Sequence, residues 1–445
     1  MHNKANGGIT MTNQQRIVII GGGFGGLHAA TSLRNVDANI TLIDRRNFHL
    51  FQPLLYQVAT GALSPANIAA PLRDILKKQK NTEVLLAEVQ DFDLANQEVI
   101  LADGRIPYDT LILAAGVRHH YFGNDQWESS APGLKTIEDA TEIRRRVLLA
   151  FETAERETDP DEIRKWLTFV VIGGGPTGVE LAGALGEIAN HTLKHNFRHI
   201  DPASAKVILL EGTDRILPPY PIDLSARAAE SLTKLGVTVR TNAIVTDIQP
   251  DRVTIRTGDQ TEIIDAHTVL WGAGVQGSPL GRRLATAAGA ELDRAGRIIV
   301  QPDLTLPNHP EIFVIGDLAN DTHQTGKPLP GVAQVAMQQG RYVARVIQAR
   351  QEGQTLPPFH YRDLGNMATI GRAAAVADLG RLHFSGWIGW MMWLFIHLLY
   401  IVQYQSRLLV FIQWGWSYIT RNRAARLITG NHILPMVKEK DAERV

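Results

Sequence analysis

Two glycine runs carry the chemistry that this chain can perform. Ile17-Val18-Ile19-Ile20 leads into Gly21-Gly22-Gly23-Phe24-Gly25-Gly26, and Phe169-Val170-Val171-Ile172 leads into Gly173-Gly174-Gly175-Pro176-Thr177-Gly178. Each reads G-x-G-x-x-G after an apolar β-branched run and before a helix-forming stretch. In that setting Gly21 permits a tight turn, Gly23 lets a pyrophosphate approach the backbone, and Gly26 lets helix and strand pack closely. The pyrophosphate then meets a helix N-terminus, where free N–H groups and the dipole favour negative charge. Gly173, Gly175 and Gly178 repeat the logic. Asp44 and Glu211 end the strands that follow, where a carboxylate receives a ribose 2′-hydroxyl. Glu211 would also repel a 2′-phosphate, so the second turn is expected to take NADH rather than NADPH. Two such sites imply two dinucleotides on one polypeptide, with electrons passing between them. Glu180 lies two residues beyond Gly178. Its spacing alone leaves open a carboxylate that complements the helix dipole and a group beside a nicotinamide.

The elements that must position these residues read as two βαβ units. The first runs from Arg16 through a helix reaching Asn35 to the strand Asn39–Asp44, and the second from Leu167 to Glu211. Buried strands at 109–116, 268–271 and 312–317 end in small residues, among them Gly116 and Gly274, which are placed with the cofactor-binding positions. A helical stretch is expected from Ile137 to Arg164 and another from Asp223 to Leu235. The fold class is therefore α/β, with two Rossmann-like dinucleotide-binding domains, one inserted in the other, and a C-terminal helical segment. The expected division is a disordered lead-in at 1–15, a first dinucleotide domain at 16–125 and 295–350, a second at 165–290, and a membrane-anchoring region at 356–430.

Composition narrows the classes. The 445 residues are 44% hydrophobic and 20% charged, with zero formal net charge, so bulk attraction to nucleic acid is not expected. There are no cysteines. That removes disulfides, thiolate metal sites, iron–sulfur clusters and C-x-x-C relays. No apolar stretch of signal-peptide length occupies the first fifteen residues, so the chain is expected to stay inside the cell.

The run Asp44-Arg45-Arg46-Asn47-Phe48-His49-Leu50-Phe51-Gln52-Pro53-Leu54-Leu55-Tyr56-Gln57-Val58-Ala59-Thr60-Gly61 resembles the type II NADH:quinone oxidoreductases. So do Gly173 to Glu180, Phe313 to Asp317, and Ala333-Gln334-Val335-Ala336-Met337-Gln338-Gln339-Gly340. The resemblance covers about Arg16 to Leu427. It implies a single-subunit, non-pumping enzyme with non-covalent FAD at the first turn and NADH at the second. It implies FAD contacts at Gly21 to Gly26 including Phe24, and at Asp44, Arg45, Val89 and Asp317. It places Ala333 and Gln334 beside the flavin on the quinone side, with Gln334, Met337 and Gln338 facing a ubiquinone-, menaquinone- or plastoquinone-type acceptor. It gives Glu180 the nicotinamide role. Some members carry a basic residue near the flavin before the C-terminal helices. Ser385-Gly386-Trp387 stands there in this chain, so Arg372 and Arg381 are the substitutes to weigh against plain surface charges. The resemblance leaves a naphthoquinone reductase of quinone biosynthesis and a flavoprotein redox sensor as alternatives. Disulfide reductases and sulfide:quinone oxidoreductases share the architecture but need the cysteines this chain lacks.

Five of the eight tryptophans, Trp387, Trp390, Trp393, Trp414 and Trp416, fall between Phe384 and Ile419. As one helix, Phe384–Val402 would be roughly 28 Å long, close to a hydrocarbon core of about 30 Å. Polar-tipped residues at helical spacing, Trp390, Trp393, His397, Tyr400 and Tyr404, favour two interfacial helices instead. Arg421, Arg423 and Arg426 are then expected at anionic lipid. The chain is read as a homodimer attached peripherally to the cytoplasmic face of the cell membrane.

Overall fold

The computed structural model describes residues 14–430. The expected lead-in lies outside the described residues up to position 13, and Gln15 already belongs to the first strand. The chain forms two compact units, each assembled from separated segments.

The first unit comprises residues 14–49 with 71–118 and 276–363. Its six-stranded sheet runs Thr305–Leu306, His309–Val314, Thr110–Leu113, Gln15–Ile20, Ala38–Asp44, Thr82–Leu86, with only the first of these antiparallel to its neighbour. Gln15–Ile20 lies at the centre, in register with Ala38–Asp44 from Gln15↔Ala38 to Ile20↔Ile43. Strands covered on both faces read as continuous Val/Ile/Leu runs. Accordingly Ile17, Ile19, Leu42, Leu111, Ile112 and Leu113 are buried, each contributing about 1.5–3 kcal/mol. Helices Phe24–Ser32 and Ala333–Gln351 pack together. Gly340 makes this possible, since a Cβ there would strike the Gly25 carbonyl and the Ala29 amide.

The second unit comprises 50–70, 119–275 and 364–430. A parallel sheet of Val237–Arg240, Lys206–Leu210, Thr168–Ile172 and Thr268–Trp271 carries the second turn. An antiparallel meander, Ile244–Gln249, Arg252–Thr257, Gln260–Asp265, follows it in the chain. Residues 50–70 belong here, although the sequence reading set them inside 16–125. Their apolar face explains the difference: Leu54, Leu55, Val58 and Ala59 are fully buried, with the short helix Leu55–Ala59 against Ile137–Arg156. Likewise, residues 356–363 fold with the first unit. The helix expected from 137 to 164 is two, Ile137–Arg156 and Pro160–Trp166, because Pro160 starts a new helix capped by Asp159.

The C-terminal segment departs from the single-helix length. Phe384 and Ser385 pair in a strand with Ala374–Asp378. Gly386, at φ +65°, turns the chain into a helix of 15 residues, Gly386–Tyr400. A second helix, Tyr404–Thr420, has 17. These are about 22 and 26 Å long, and among the described residues no helix is long and apolar enough to cross a membrane. Arg423 is also placed otherwise than at lipid. It is buried, donating to Glu187 Oε2 at 2.7 Å and to the Thr60 carbonyl at 3.2 Å. Arg426 donates to the Arg423 carbonyl at 3.0 Å, and Arg421 bonds His191 Nδ1 at 3.2 Å.

Candidate dinucleotide sites

The two turns are built alike. Gly21 and Gly173 have φ of +103° and +102°, values that L side chains rarely adopt. A Cβ on Gly26 would overlap the Gly21 carbonyl oxygen, and one on Gly178 would overlap that of Gly173. Gly23 and Gly175 are the opposite: a Cβ on either would meet nothing within 4 Å. They cap the helices Phe24–Ser32 and Pro176–Glu187, neither of which has a side-chain cap or an acid in its first turn. Each helix therefore offers uncapped N–H donors beside open space, as an anion requires.

The two acids also match. Asp44 Oδ2 accepts from the Gly22 N–H at 2.6 Å and Oδ1 from the Arg46 N–H at 2.7 Å. Glu211 Oε2 accepts from the Gly174 N–H at 2.6 Å, while Oε1 takes the Thr213 N–H and hydroxyl at 2.8 and 2.9 Å. Each carboxylate braces its own turn and keeps lone pairs for a ribose hydroxyl.

On the first unit, Gly316 stands at φ +73° after strand His309–Val314. Its N–H donates to buried Gln339 Oε1 at 2.7 Å. Among the described residues the neighbouring Asp317 carboxylate has no hydrogen-bond partner. The Gly116 turn (φ +65°) is open as well. Open Gly23, uncapped N–H groups and the unbonded Asp317 suit the phosphates and hydroxyls of FAD. Val89 packs in the core with its side chain, so its main chain is what can face a ligand. Arg45 is exposed beside Glu88. Gly25 packs against Ile315, and Phe24 sits edge-on to His49, 5.0 Å between centroids. Ala333 and Gln334 open helix Ala333–Gln351 and are half-buried. Met337 is buried. Gln338 is braced: its amide donates to the Arg362 carbonyl at 2.9 Å and accepts from the Arg362 N–H at 3.0 Å.

On the second unit, Glu180 is the fifth residue of its helix, beyond the first turn, which weakens the dipole reading. Desolvation pushes its carboxyl up to about 8, against a hydrogen bond from the Thr369 backbone. Glu180 in turn raises the Tyr56 and Tyr220 hydroxyls, both already raised by burial. The folded state thus holds a proton that the unfolded chain releases near 4.5, so stability falls as pH rises from there through about 8. Glu180→Gln is expected to remove that slope. Thermal melts over this range should show wild type losing Tm relative to the variant on the alkaline side, and parallel curves would contradict the assignment. Gly274, at φ +70°, leaves a Cβ 2.7 Å from the Phe122 ring. Arg372 lies over the Tyr418 ring at 4.2 Å, and Arg381 is exposed.

Two residues escaped the sequence reading. His49 is buried, with Nδ1 2.9 Å from the Gly22 carbonyl and Nε2 without a partner. Gln57 links Tyr56 to the C-terminal helix: its Nε2 donates to the Tyr56 hydroxyl at 2.9 Å, and its Oε1 accepts from Trp414 Nε1 at 2.7 Å. Both stand in the quoted motif run, which was the available signal.

The profile of the pyridine nucleotide-disulphide oxidoreductase family matches residues 15–340. The type II NADH:quinone oxidoreductase Ndh of Mycobacterium tuberculosis is 47% identical over 424 residues, spanning 94% of this chain and 90% of that protein. NdhA of the same organism is 48% identical over 430 residues, with the same shares. Among solved structures, NDH2 of Plasmodium falciparum in complex with NADH superposes with a TM-score of 0.84 at 21% identity, covering 94% of this chain and all of that one.

Proposed function

The chain belongs to the type II NADH:quinone oxidoreductases, within the pyridine nucleotide-disulphide oxidoreductase family, and from that premise we infer a turnover shared between its two glycine turns. It is a non-proton-pumping, FAD-dependent enzyme that oxidises NADH and reduces a membrane quinone. The observation that carries this reading is the same open, uncapped cradle built twice, around Gly23 and around Gly175.

Bound FAD supplies the two-electron chemistry that joins a hydride donor to a quinone. The residues of the chain do the rest. Gly23, the N–H groups of helix Phe24–Ser32, Asp44 and Asp317 hold FAD on the first unit. Gly175, the N–H groups of helix Pro176–Glu187 and Glu211 hold NADH on the second. Glu180, protonated near neutral pH, gives the nicotinamide side an uncharged polar neighbour. Gln334 offers both a donor and an acceptor to a quinone carbonyl. Met337 supports this helix face from within the core, and Gln338, braced by Arg362, keeps a second N–H and a lone pair for the same acceptor.

The protein attaches peripherally to the membrane through its C-terminal helices. Trp387, Ile388, Phe395 and Leu399 on one, and Phe411, Ile412, Trp416 and Ile419 on the other, are exposed, as interfacial helices require. The cytoplasmic face and a homodimer complete this reading, with the same apolar surface serving lipid and a second copy. NADH oxidation with and without a panel of quinones tests the proposal. An absence of quinone-dependent turnover by FAD-loaded protein on vesicles would refute it.

Nucleotide choice follows from Glu211. In Glu211→Gln the amide oxygen still accepts from the Gly174 N–H, while the amide nitrogen that replaces Oε1 gives up the Thr213 N–H bond, so the Gly174 side of the turn persists while the negative charge goes. Discrimination against NADPH is expected to fall by about tenfold, roughly 1.4 kcal/mol. Steady-state kcat/KM with both nucleotides measures it, and an unchanged ratio would contradict the role given to the charge.

A further inference from the structure

On the first unit a cavity of about 360 Å³ opens beside Ser32, the last residue of the helix whose other end carries the first glycine turn. Nine helical residues separate the two by about 12 Å. Arg341, Arg345 and Gln348 line the cavity from helix Ala333–Gln351, at spacings that set them on one face. His360 also lines it, and Ala344 and Phe359 supply apolar lining, with Phe359 buried. Gln338 lines it too and bonds the Arg362 backbone through both ends of its amide.

No acid lines this cavity. Some arginines of the unit find carboxylates: Arg16 with Asp109, Arg105 with Asp93 and Glu98, Arg297 with Asp293, Arg350 with Asp303. Among the described residues Arg341 and Arg345 have no ion-pair partner, and Arg345 only leans on the Tyr342 ring at 5.9 Å. Two like charges one helical turn apart repel, and an anion between them would reverse that cost. Nearby His28 registers the uncompensated charge: burial first, then Arg341, brings its pKa down to about 4.

We propose that this cavity binds a phosphate group. Guanidinium forks match phosphate oxygens bidentately. Gln348 and Ser32 add neutral donors, and Phe359 with Ala344 accommodates the organic remainder. The cavity volume lies within the range of small-molecule sites, about 300–1,000 Å³. The phosphate has two possible sources, a phospholipid headgroup and a free phosphate compound.

The test is calorimetric titration of the FAD-loaded protein at low ionic strength, with the second turn saturated by NAD⁺. The probes are inorganic phosphate, glycerol 3-phosphate and dihexanoyl-phosphatidylglycerol below its micelle concentration. Wild type is expected to bind, and Arg341→Gln/Arg345→Gln to weaken binding by about tenfold or more, with Arg345→Gln alone intermediate. Unchanged FAD content and Tm in the variants separate this loss from misfolding, and the single variant serves if the double one fails to fold. Tighter binding of the short-chain lipid than of the two phosphates assigns a headgroup; equal or weaker binding assigns a free phosphate. No binding by wild type, or equal affinity of wild type and variants for every probe, overturns the proposal.

Discussion

Gly26→Ala is expected to leave the protein unable to retain FAD. The added Cβ would overlap the Gly21 carbonyl oxygen, so one of the two must move. Gly21 has little freedom to do so. Its N–H donates to the Ile43 carbonyl at 2.8 Å, its φ is +103°, and a Cβ of its own would collide with the Ala114 carbonyl. Below it, buried His49 bonds the Gly22 carbonyl. The strain therefore passes to the helix N-terminus, which tilts away from the strand and takes its N–H groups with it. Flavin content after gel filtration is the readout. A variant that keeps stoichiometric FAD would show that the first turn does not hold it.

Gly178→Ala carries the same collision to the second unit, with a different expected loss. Flavin should stay bound while KM for NADH rises by about a hundredfold, roughly 2.7 kcal/mol. Its companion is Gly175→Ala. A Cβ at Gly175 meets nothing of the protein within 4 Å, so fold and Tm should match wild type. Only a pyrophosphate resting against that backbone would collide with the methyl group. A rise in KM without a fall in Tm is thus a signature that a structural defect cannot give. Wild-type KM in Gly175→Ala would move the nucleotide elsewhere.

What could be read in advance followed the range of the interaction. The glycine turns, their strands and the acids Asp44 and Glu211 are local patterns, and strand Thr268–Trp271 has the bounds expected of it. Features set by distant partners were hidden. Gln339 reads as one more polar helix residue, yet it fixes Gly316, 23 positions away. Arg423 stands in a basic run suited to lipid, but Glu187, 236 residues earlier, draws it inside. Hydropathy joins Phe384 to Val402, whereas strand pairing and the Gly386 turn divide them. In each case a contact distant in sequence overrode a sound local pattern.

One chain oxidises NADH through FAD and discharges to a quinone. Anaerobic stopped-flow absorbance of the flavin follows both halves of that turnover. NADH mixed with FAD-loaded wild-type protein should bleach the flavin in one rapid phase, and a short-chain quinone added second should restore the full absorbance. A flavin that NADH does not bleach, or one that quinone leaves bleached, would rule this turnover out.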